Sequence, residues 1–348
     1  MHTSLAARLK IDLEALASNW MALDALSAPD VETAAVVKGD GYGCGAAKVG
    51  QALRRDGVRT FFVAVPSEGV ILREAVGPDP AIYILGGYAT EDRFDYQFSD
   101  LRPVLNTAHQ ASSWFRDENG PCAIQIDTGM NRLGMEADEF AALGPLPECV
   151  DLVMSHMGNA DDPGHPMNES QLAEFRRMTE GLTCRKSLSA TAGLLLGPDY
   201  HFDLTRMGIG LYGGCPYKEA RSVVAVDAPV IQIRNLRKGE NVGYGATWVA
   251  PRDSRIATIS AGYADGLIRA LGNGASVWLE GVEVPVAGRV SMDLITLDVT
   301  DFTCSEGDRV EIIGPNQGID DLARSAGTIG HEILTSLGHR YRRDYVGD

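Results

Sequence analysis

Eight short apolar segments recur along the first two thirds of this chain, and their spacing limits the folds open to it. They run over 34–37, 61–65, 81–85, 102–105, 123–126, 152–155, 187–190 and 204–211. Between most of them lie stretches of helical character at 46–53, 67–75, 107–114 and 169–178, with another helix over 13–21 ahead of the first segment. Ser67 reads as an N-cap with Glu68 in the first turn. Strands alternating with helices require a parallel sheet, either a (β/α)8 TIM-type barrel or a doubly wound sheet, and spacing alone leaves both open. Beyond about residue 228 the texture changes. Segments at 230–234, 256–260, 276–280, 284–287, 294–299 and 309–313 are rich in β-formers, and turns such as Leu236-Arg-Lys-Gly239 and Ser305-Glu-Gly-Asp308 separate several of them. This predicts a C-terminal, mostly antiparallel β domain closed by a helix near 319–325.

At 348 residues the chain is long enough for one large α/β unit and a smaller one. A net charge of −16 argues against nucleic acid as a partner, because a phosphate backbone requires clustered Lys and Arg. No apolar run reaches the roughly 18 residues of a membrane span, and the stretch from Met1 to Lys10 is too short of apolar residues for a signal peptide. These features predict a cytoplasmic protein without a membrane partner. The six cysteines, at 44, 122, 149, 184, 215 and 304, are scattered with no CxxC pair, which fits reduced thiols. His156 and His165 flank Asp161 and Asp162, but no helical HxxxH spacing supports a metal site, and none is expected.

Within the first segment, Thr33-Ala-Ala-Val-Val-Lys38 stops at a lysine and breaks into Gly39-Asp-Gly-Tyr42-Gly-Cys-Gly45. The pattern reads as a buried strand whose C-terminal end projects an amine into a tight loop, the end at which α/β folds carry their chemistry. A desolvated lysine with a lowered pKa can act as a Schiff-base nucleophile.

Five further motifs stand in order after Lys38: Asp127-Thr-Gly-Met-Asn-Arg132-Leu-Gly134, Arg206-Met-Gly-Ile-Gly-Leu-Tyr212-Gly, Val242-Gly-Tyr-Gly-Ala-Thr247, Gly262-Tyr-Ala-Asp-Gly266 and Gly288-Arg-Val-Ser-Met-Asp293. Together with the Lys38 segment they resemble the alanine racemase family from about residue 8 to the C-terminus. The resemblance implies a (β/α)8 barrel over 13–227 that binds pyridoxal 5'-phosphate. It also implies a β domain made of 1–12 and 228–348, because the family's first strand, here near Arg8 to Asp12, joins that domain. The implied assembly is a homodimer whose active sites each draw on both subunits. The implied reaction is the interconversion of L- and D-alanine, which supplies D-alanine as a peptidoglycan precursor.

Carried over position by position, Lys38 would be the cofactor-bearing lysine and the base on one face of the substrate Cα. Tyr263 of the partner subunit would be the base on the other, since inverting a stereocentre requires proton removal on one side and delivery on the opposite side. Arg206 would face the pyridine nitrogen and disfavour its protonation. His156 would bridge Tyr263 and Arg206. Tyr42, Thr191 and the backbone at Gly208 and Ile209 would hold the phosphate, while Arg132 and the Met292 backbone would meet the substrate carboxylate. The chain departs from the family at Gln125, where relatives often carry a carbamylated lysine, and the glutamine amide oxygen is expected to accept a hydrogen bond from Arg132. It departs also at Ala190-Thr191, in place of an Asn-Ser pair, at Ser291 in place of cysteine, and near the C-terminus, where His331 and His339 stand in a region that carries tyrosine or arginine in relatives. A broader amino-acid racemase, a decarboxylase of the same fold type and a non-catalytic cofactor-binding paralogue are the rival readings.

Overall fold

The computed structural model describes residues 5–118 and 120–347; the first four residues of the N-terminal stretch considered above, and of the 1–12 segment, lie outside them, as does residue 348. The chain divides into two compact units, one comprising Leu16–Leu211 with Pro216–Ala220, the other the chain before Leu16, Tyr212–Cys215 and everything from Arg221 onward.

The first strand, β1 (Arg8–Asp12), belongs to the second unit. The first unit is built on β2 (Glu32–Val36), β3 (Thr60–Val63), β4 (Ala81–Ile84), β5 (Arg102–Leu105), β6 (Cys122–Gln125), β7 (Val150–Met154), β8 (Arg185–Ser187) and β9 (Leu204–Met207). All eight are parallel, in the order β8-β7-β6-β5-β4-β3-β2-β9. The ring is completed where Arg206 N–H donates to Ser189 O at 2.9 Å and Ala190 bridges Arg206 in parallel. The result is the TIM-type barrel, not the doubly wound sheet. Ala34, Phe62, Tyr83, Val104, Ala123, Leu152, Met154 and Leu204 cluster in its core, nearly one per strand, with Phe62 and Tyr83 stacked at 5.1 Å. Their sequence neighbours Phe61, Val63, Ile82 and Ile84 are equally buried, so strands covered on both faces read as continuous apolar runs.

The helices fall where the periodicity places them, with one local correction. The helix Pro66–Val76 is capped by Val65 and starts on Pro66, whose missing N–H costs nothing at a first helical position. Ser67 therefore lies inside the first turn, and Glu68 reaches back to accept the Ala64 N–H at 2.8 Å. Thr107 does cap the helix Ala108–Asp117, accepting from Gln110 N–H.

The second unit is organised by β10 (Val224–Leu236), a 13-residue strand that a bulge between Val230 and Gln232 divides in two. Its first half pairs with β1 and, on the other side, with β17 (Arg309–Ile313). Its second half pairs with β13 (Ser254–Ile259). The remaining strands are the β11 (Asn241–Val242) and β12 (Trp248–Val249) hairpin, β14 (Ser276–Leu279), β15 (Val282–Pro285), β16 (Ile295–Asp298) and β18 (Arg342–Val346). β18 runs parallel to β1, with Arg8 opposite Arg342; the other pairings in this unit are antiparallel.

The foot of the barrel, opposite Lys38, carries an ionic plug. Asp151 accepts from the Tyr83 hydroxyl at 2.6 Å and from Arg102 at 2.7 Å, and Arg185 donates to Glu32 at 2.7 Å. Desolvation by the core, reinforced by the Asp151 charge, pushes the Tyr83 phenol far above its usual range, so it stays a donor. Asp151→Ala leaves Tyr83 and Arg102 without their common acceptor. We expect a stability loss of about 2–3 kcal/mol, the scale of hydrogen bonds to a charged group, measured as a lowered thermal midpoint with an unchanged native circular-dichroism spectrum.

Candidate active site

Lys38 emerges at the C-terminal end of β2 and is followed by a turn of opposite hand to an ordinary helix. Gly39, Asp40, Gly41, Tyr42 and Gly43 have φ of 63°, 53°, 63°, 52° and 76°. Gly39, Gly41 and Gly43 adopt this region freely; Asp40 and Tyr42 do so at a cost of roughly 1–2 kcal/mol each. The Glu68 carboxylate offsets part of that cost by accepting Gly39 N–H at 2.6 Å and Asp40 N–H at 3.3 Å. The Asp40 side chain in turn accepts Ala46 N–H at 2.9 Å and so begins the helix Ala46–Arg55. The turn drives the Tyr42 ring into the barrel, where it is buried and its phenol pKa is pushed up to about 12 by desolvation.

A cluster of positive charge gathers around Lys38. The side chain is open to solvent by accessible surface, yet it stands within the barrel mouth, and desolvation there lowers its pKa below the ordinary 10.5. Arg132 and Arg206 lower it further, while Glu68 opposes them. Arg206 is buried and its guanidinium donates to Ser155 O at 2.6 Å, to Leu188 O at 3.4 Å and to the Ser187 hydroxyl, with His156 Nδ1 at 3.5 Å. No carboxylate pairs with it among the described residues, and burial brings its pKa down to about 9. The same surroundings, burial first and then Arg206, Arg132 and Lys38, depress His156 to about 3, so its imidazole is neutral. Ser155 is itself held by Thr128, and Gln171 ties Thr128 Oγ1 to His156 O. Sequence reasoning missed Ser155, Ser187, Glu68 and Gln171, because a small hydroxyl at a strand end or a glutamine on a helix carries no spacing signature.

Just past the end of β9, the strand that pairs with the Lys38 strand β2, the N–H groups of Gly208 and Gly210 donate to Thr191 Oγ1 at 3.2 and 3.3 Å. Among the described residues no acceptor takes the Thr191 hydroxyl proton, and none takes the intervening Ile209 N–H. A Cβ on Gly208 would sit 2.6 Å from the Tyr42 hydroxyl, so the cradle exists only with glycine there. These donors fit a phosphate, and the cations beside them fit an anionic ligand.

The Gln125 amide disagrees with expectation. It donates to Leu133 O at 3.0 Å, and no hydrogen bond joins it to the exposed Arg132. The glutamine fixes the backbone next to Arg132 and leaves the guanidinium available. His165 Nδ1 accepts Met167 N–H at 3.2 Å, and no three His, Cys, Asp or Glu side chains converge among the described residues.

Tyr263 and Met292 lie in the second unit. Both are exposed, and their backbones are joined: Tyr263 N–H donates to Ser291 O at 3.0 Å and Ala264 N–H to Met292 O at 2.9 Å. The Met292 N–H donates to no described residue and is available to an incoming carboxylate.

Comparison with known proteins agrees with this geometry. Residues 11–216 match the model of the alanine racemase N-terminal domain and residues 223–345 that of the alanine racemase C-terminal domain. The chain is 53% identical over 344 residues to the alanine racemase of Dinoroseobacter shibae, covering 98% of each. Its fold matches the alanine racemase of Bartonella henselae with covalently bound pyridoxal phosphate, with TM-score 0.93 and 38% identity over 99% of this chain and 100% of that one. It also matches the biosynthetic alanine racemase of Pseudomonas aeruginosa, with TM-score 0.91 and 33% identity over 98% and 99%. No described helix is long and apolar enough to cross a membrane. The chain belongs to the alanine racemase family.

Proposed function

We propose that this racemase inverts alanine with pyridoxal 5'-phosphate held in the barrel, Lys38 serving as the cofactor's lysine and as one base, and Tyr263 of the partner subunit serving as the other. The observation that carries the reading is the meeting of Lys38, Arg132 and Arg206 at one barrel mouth, in a chain of net charge −16, beside a glycine cradle with unclaimed donors. Pyridoxal phosphate, when bound, supplies the electron sink that acidifies the Cα proton of the amino acid.

The chain's own residues do the remainder. Tyr42, Thr191 and the Gly208 and Ile209 backbone would hold the phosphate, Gly208 through the space its missing Cβ leaves and Ile209 through its N–H. Arg206, charged at neutral pH and locked by Ser155 and Ser187, would face the pyridine nitrogen as a donor with no lone pair to accept a pyridinium N–H, which would disfavour protonation of that nitrogen. Arg132 and the Met292 amide hold the substrate carboxylate, so that the Cα–H bond points at one base or the other. Neutral His156 relays a hydrogen bond between Arg206 and Tyr263 without adding charge. Delivery of Tyr263 and Met292 from a second copy requires a homodimer, and the exposure of both side chains on their own unit supports it.

Two experiments test this. In D₂O the wild-type protein exchanges the Cα proton of L-alanine and yields D-alanine; Lys38→Ala abolishes both, and Tyr263→Phe lowers racemisation by about 10²–10⁴, the range for a lost general base. Retention of full racemisation by either variant overturns the assignment. The electrostatic argument makes a second prediction, on protein freed of cofactor. Only the neutral amine is nucleophilic, so the pH midpoint for reductive methylation of Lys38, followed by peptide mass, lies below 10.5. Removing a cation relieves the disfavour of the ammonium form, so Arg132→Ala raises that midpoint; removing the one nearby anion, by Glu68→Gln, lowers it. Shifts of the same sign in both variants would refute the account.

A further inference from the structure

The mechanism leaves unexplained a set of contacts in the second unit that binds three separate stretches of chain around Tyr263. The turn Tyr263–Asp265 follows β13 and is closed by Asp265, whose buried carboxylate accepts Gly262 N–H at 2.9 Å. On one side the turn lies against Ser291 and Met292 through the two backbone hydrogen bonds given above. On the other it lies against the stretch ahead of β18, where Gly338 N–H donates to Asp265 O at 3.1 Å. Neither side has slack: a Cβ on Gly262 would overlap the carbonyls of Ser291 and Met292, and one on Gly266, at φ 95°, would overlap that of Ser336.

Arg340 ties the three stretches together by charge. Its Nε stands 3.1 Å from the other oxygen of Asp265, and its Nη1 donates to Asp293 at 2.6 Å. Asp265 ends the Tyr263 turn and Asp293 immediately follows Met292. One guanidinium thus bridges the carboxylate next to the proposed base and the carboxylate next to the proposed carboxylate-binding amide. A planar fork with donors on two edges can do this in a fixed geometry, which the compact, rotatable ammonium of a lysine does not reproduce. Arg343 supports the same stretch by donating to Leu337 O and Gly338 O at 3.4 and 3.2 Å.

We propose that Arg340 is a positioning residue that fixes the Tyr263 phenol and the Met292 amide as one rigid body, through its bridge from Asp265 to Asp293. This deepens the two-base reading and rests on it. Losing the bridge leaves the Tyr263 turn and the Met292 loop held together by their two backbone hydrogen bonds alone, which permits small shifts of one against the other. Because misplacing a reacting group by about 1 Å costs on the order of 10²-fold, the loss falls on the step in which Tyr263 moves a proton. Lys38 sits in the other unit and does not depend on this clamp.

The test separates the two faces of the substrate. In D₂O, initial wash-out of the Cα proton is measured from L-alanine and from D-alanine separately, since one enantiomer presents its proton to Lys38 and the other to Tyr263. For Arg340→Met we expect wash-out from the Tyr263-dependent enantiomer to fall about 10- to 100-fold and from the other by less than about threefold, with Arg340→Lys restoring only part. The Tyr263→Phe protein identifies which enantiomer is which. Amide hydrogen exchange of the holoenzyme should quicken over 262–266 and 291–294 and stay unchanged over β10 and β17. Equal slowing of both enantiomers, or faster amide exchange throughout the second unit, marks Arg340 as a general stabiliser and overturns the proposal. If Arg340→Met does not fold, Asp293→Asn cuts the same bridge at its exposed end and is read in the same way. A Tyr263→Phe protein that racemises normally removes the two-base reading itself, an outcome distinct from normal asymmetry in the Arg340 variants, which removes only the clamp.

Discussion

The seam between β8 and β9 is the constraint on which the barrel and its chemistry jointly depend. Arg206 closes the ring with its backbone, donating to Ser189 O, and occupies the barrel mouth with its side chain. A buried guanidinium without a carboxylate is expensive, and it persists because Ser155 O, Leu188 O and the Ser187 hydroxyl satisfy it with dipoles instead of charge. That choice has a functional consequence. A carboxylate partner would neutralise the site; dipoles solvate the cation and leave its field intact, where it depresses both Lys38 and His156.

The same logic recurs at Lys38, where local strain is tolerated because neighbouring groups over-determine it. Two non-glycine residues in a left-handed turn would not hold this conformation alone. Glu68 supplies acceptors to the turn's first two amides and to Ala64 at the end of β3, so a single carboxylate registers the lysine-bearing turn against the adjacent strand. Its charge is also the counterweight to Arg132 and Arg206 at Lys38. One side chain therefore takes part in both the backbone and the electrostatics of Lys38.

Most of the fold was legible because its signals are local. The strands at 102–105 and 309–313 stand where apolar and β-branched runs place them, since each is bounded by residues that break the pattern. The segment 187–190 was displaced, β8 occupying Arg185–Ser187, because the polar Arg185 belongs to the ionic plug at the foot of the barrel and masks the strand's start. β18, Arg-Arg-Asp-Tyr-Val, went unrecognised for a related reason: it pairs on one side only, with β1, and an edge strand needs no apolar face. The misplaced cap at Ser67 reflects a competition that Pro66 wins, since proline takes the first helical position two residues ahead of where a Ser67 cap would start the helix.

The site was legible only as far as chemistry is carried by residue type. Lys38 stands out by its place at a strand end, and Arg132, Arg206 and Tyr263 enter the candidate site through the ordered motifs that resemble the family, whereas the groups that orient them carry no such motif. Ser155 and Ser187 act through one carbonyl and one hydroxyl, and Gln125 shows why identity alone misleads. Its amide could serve Arg132 or the backbone equally well, and the loop geometry decides for Leu133. On the proposed reading, an arginine whose orientation is left to its ligand would be drawn in by the substrate carboxylate itself. Binding and alignment would then be one event, and an amine lacking that carboxylate would lose the charge-assisted contact and the orientation of its Cα–H bond together.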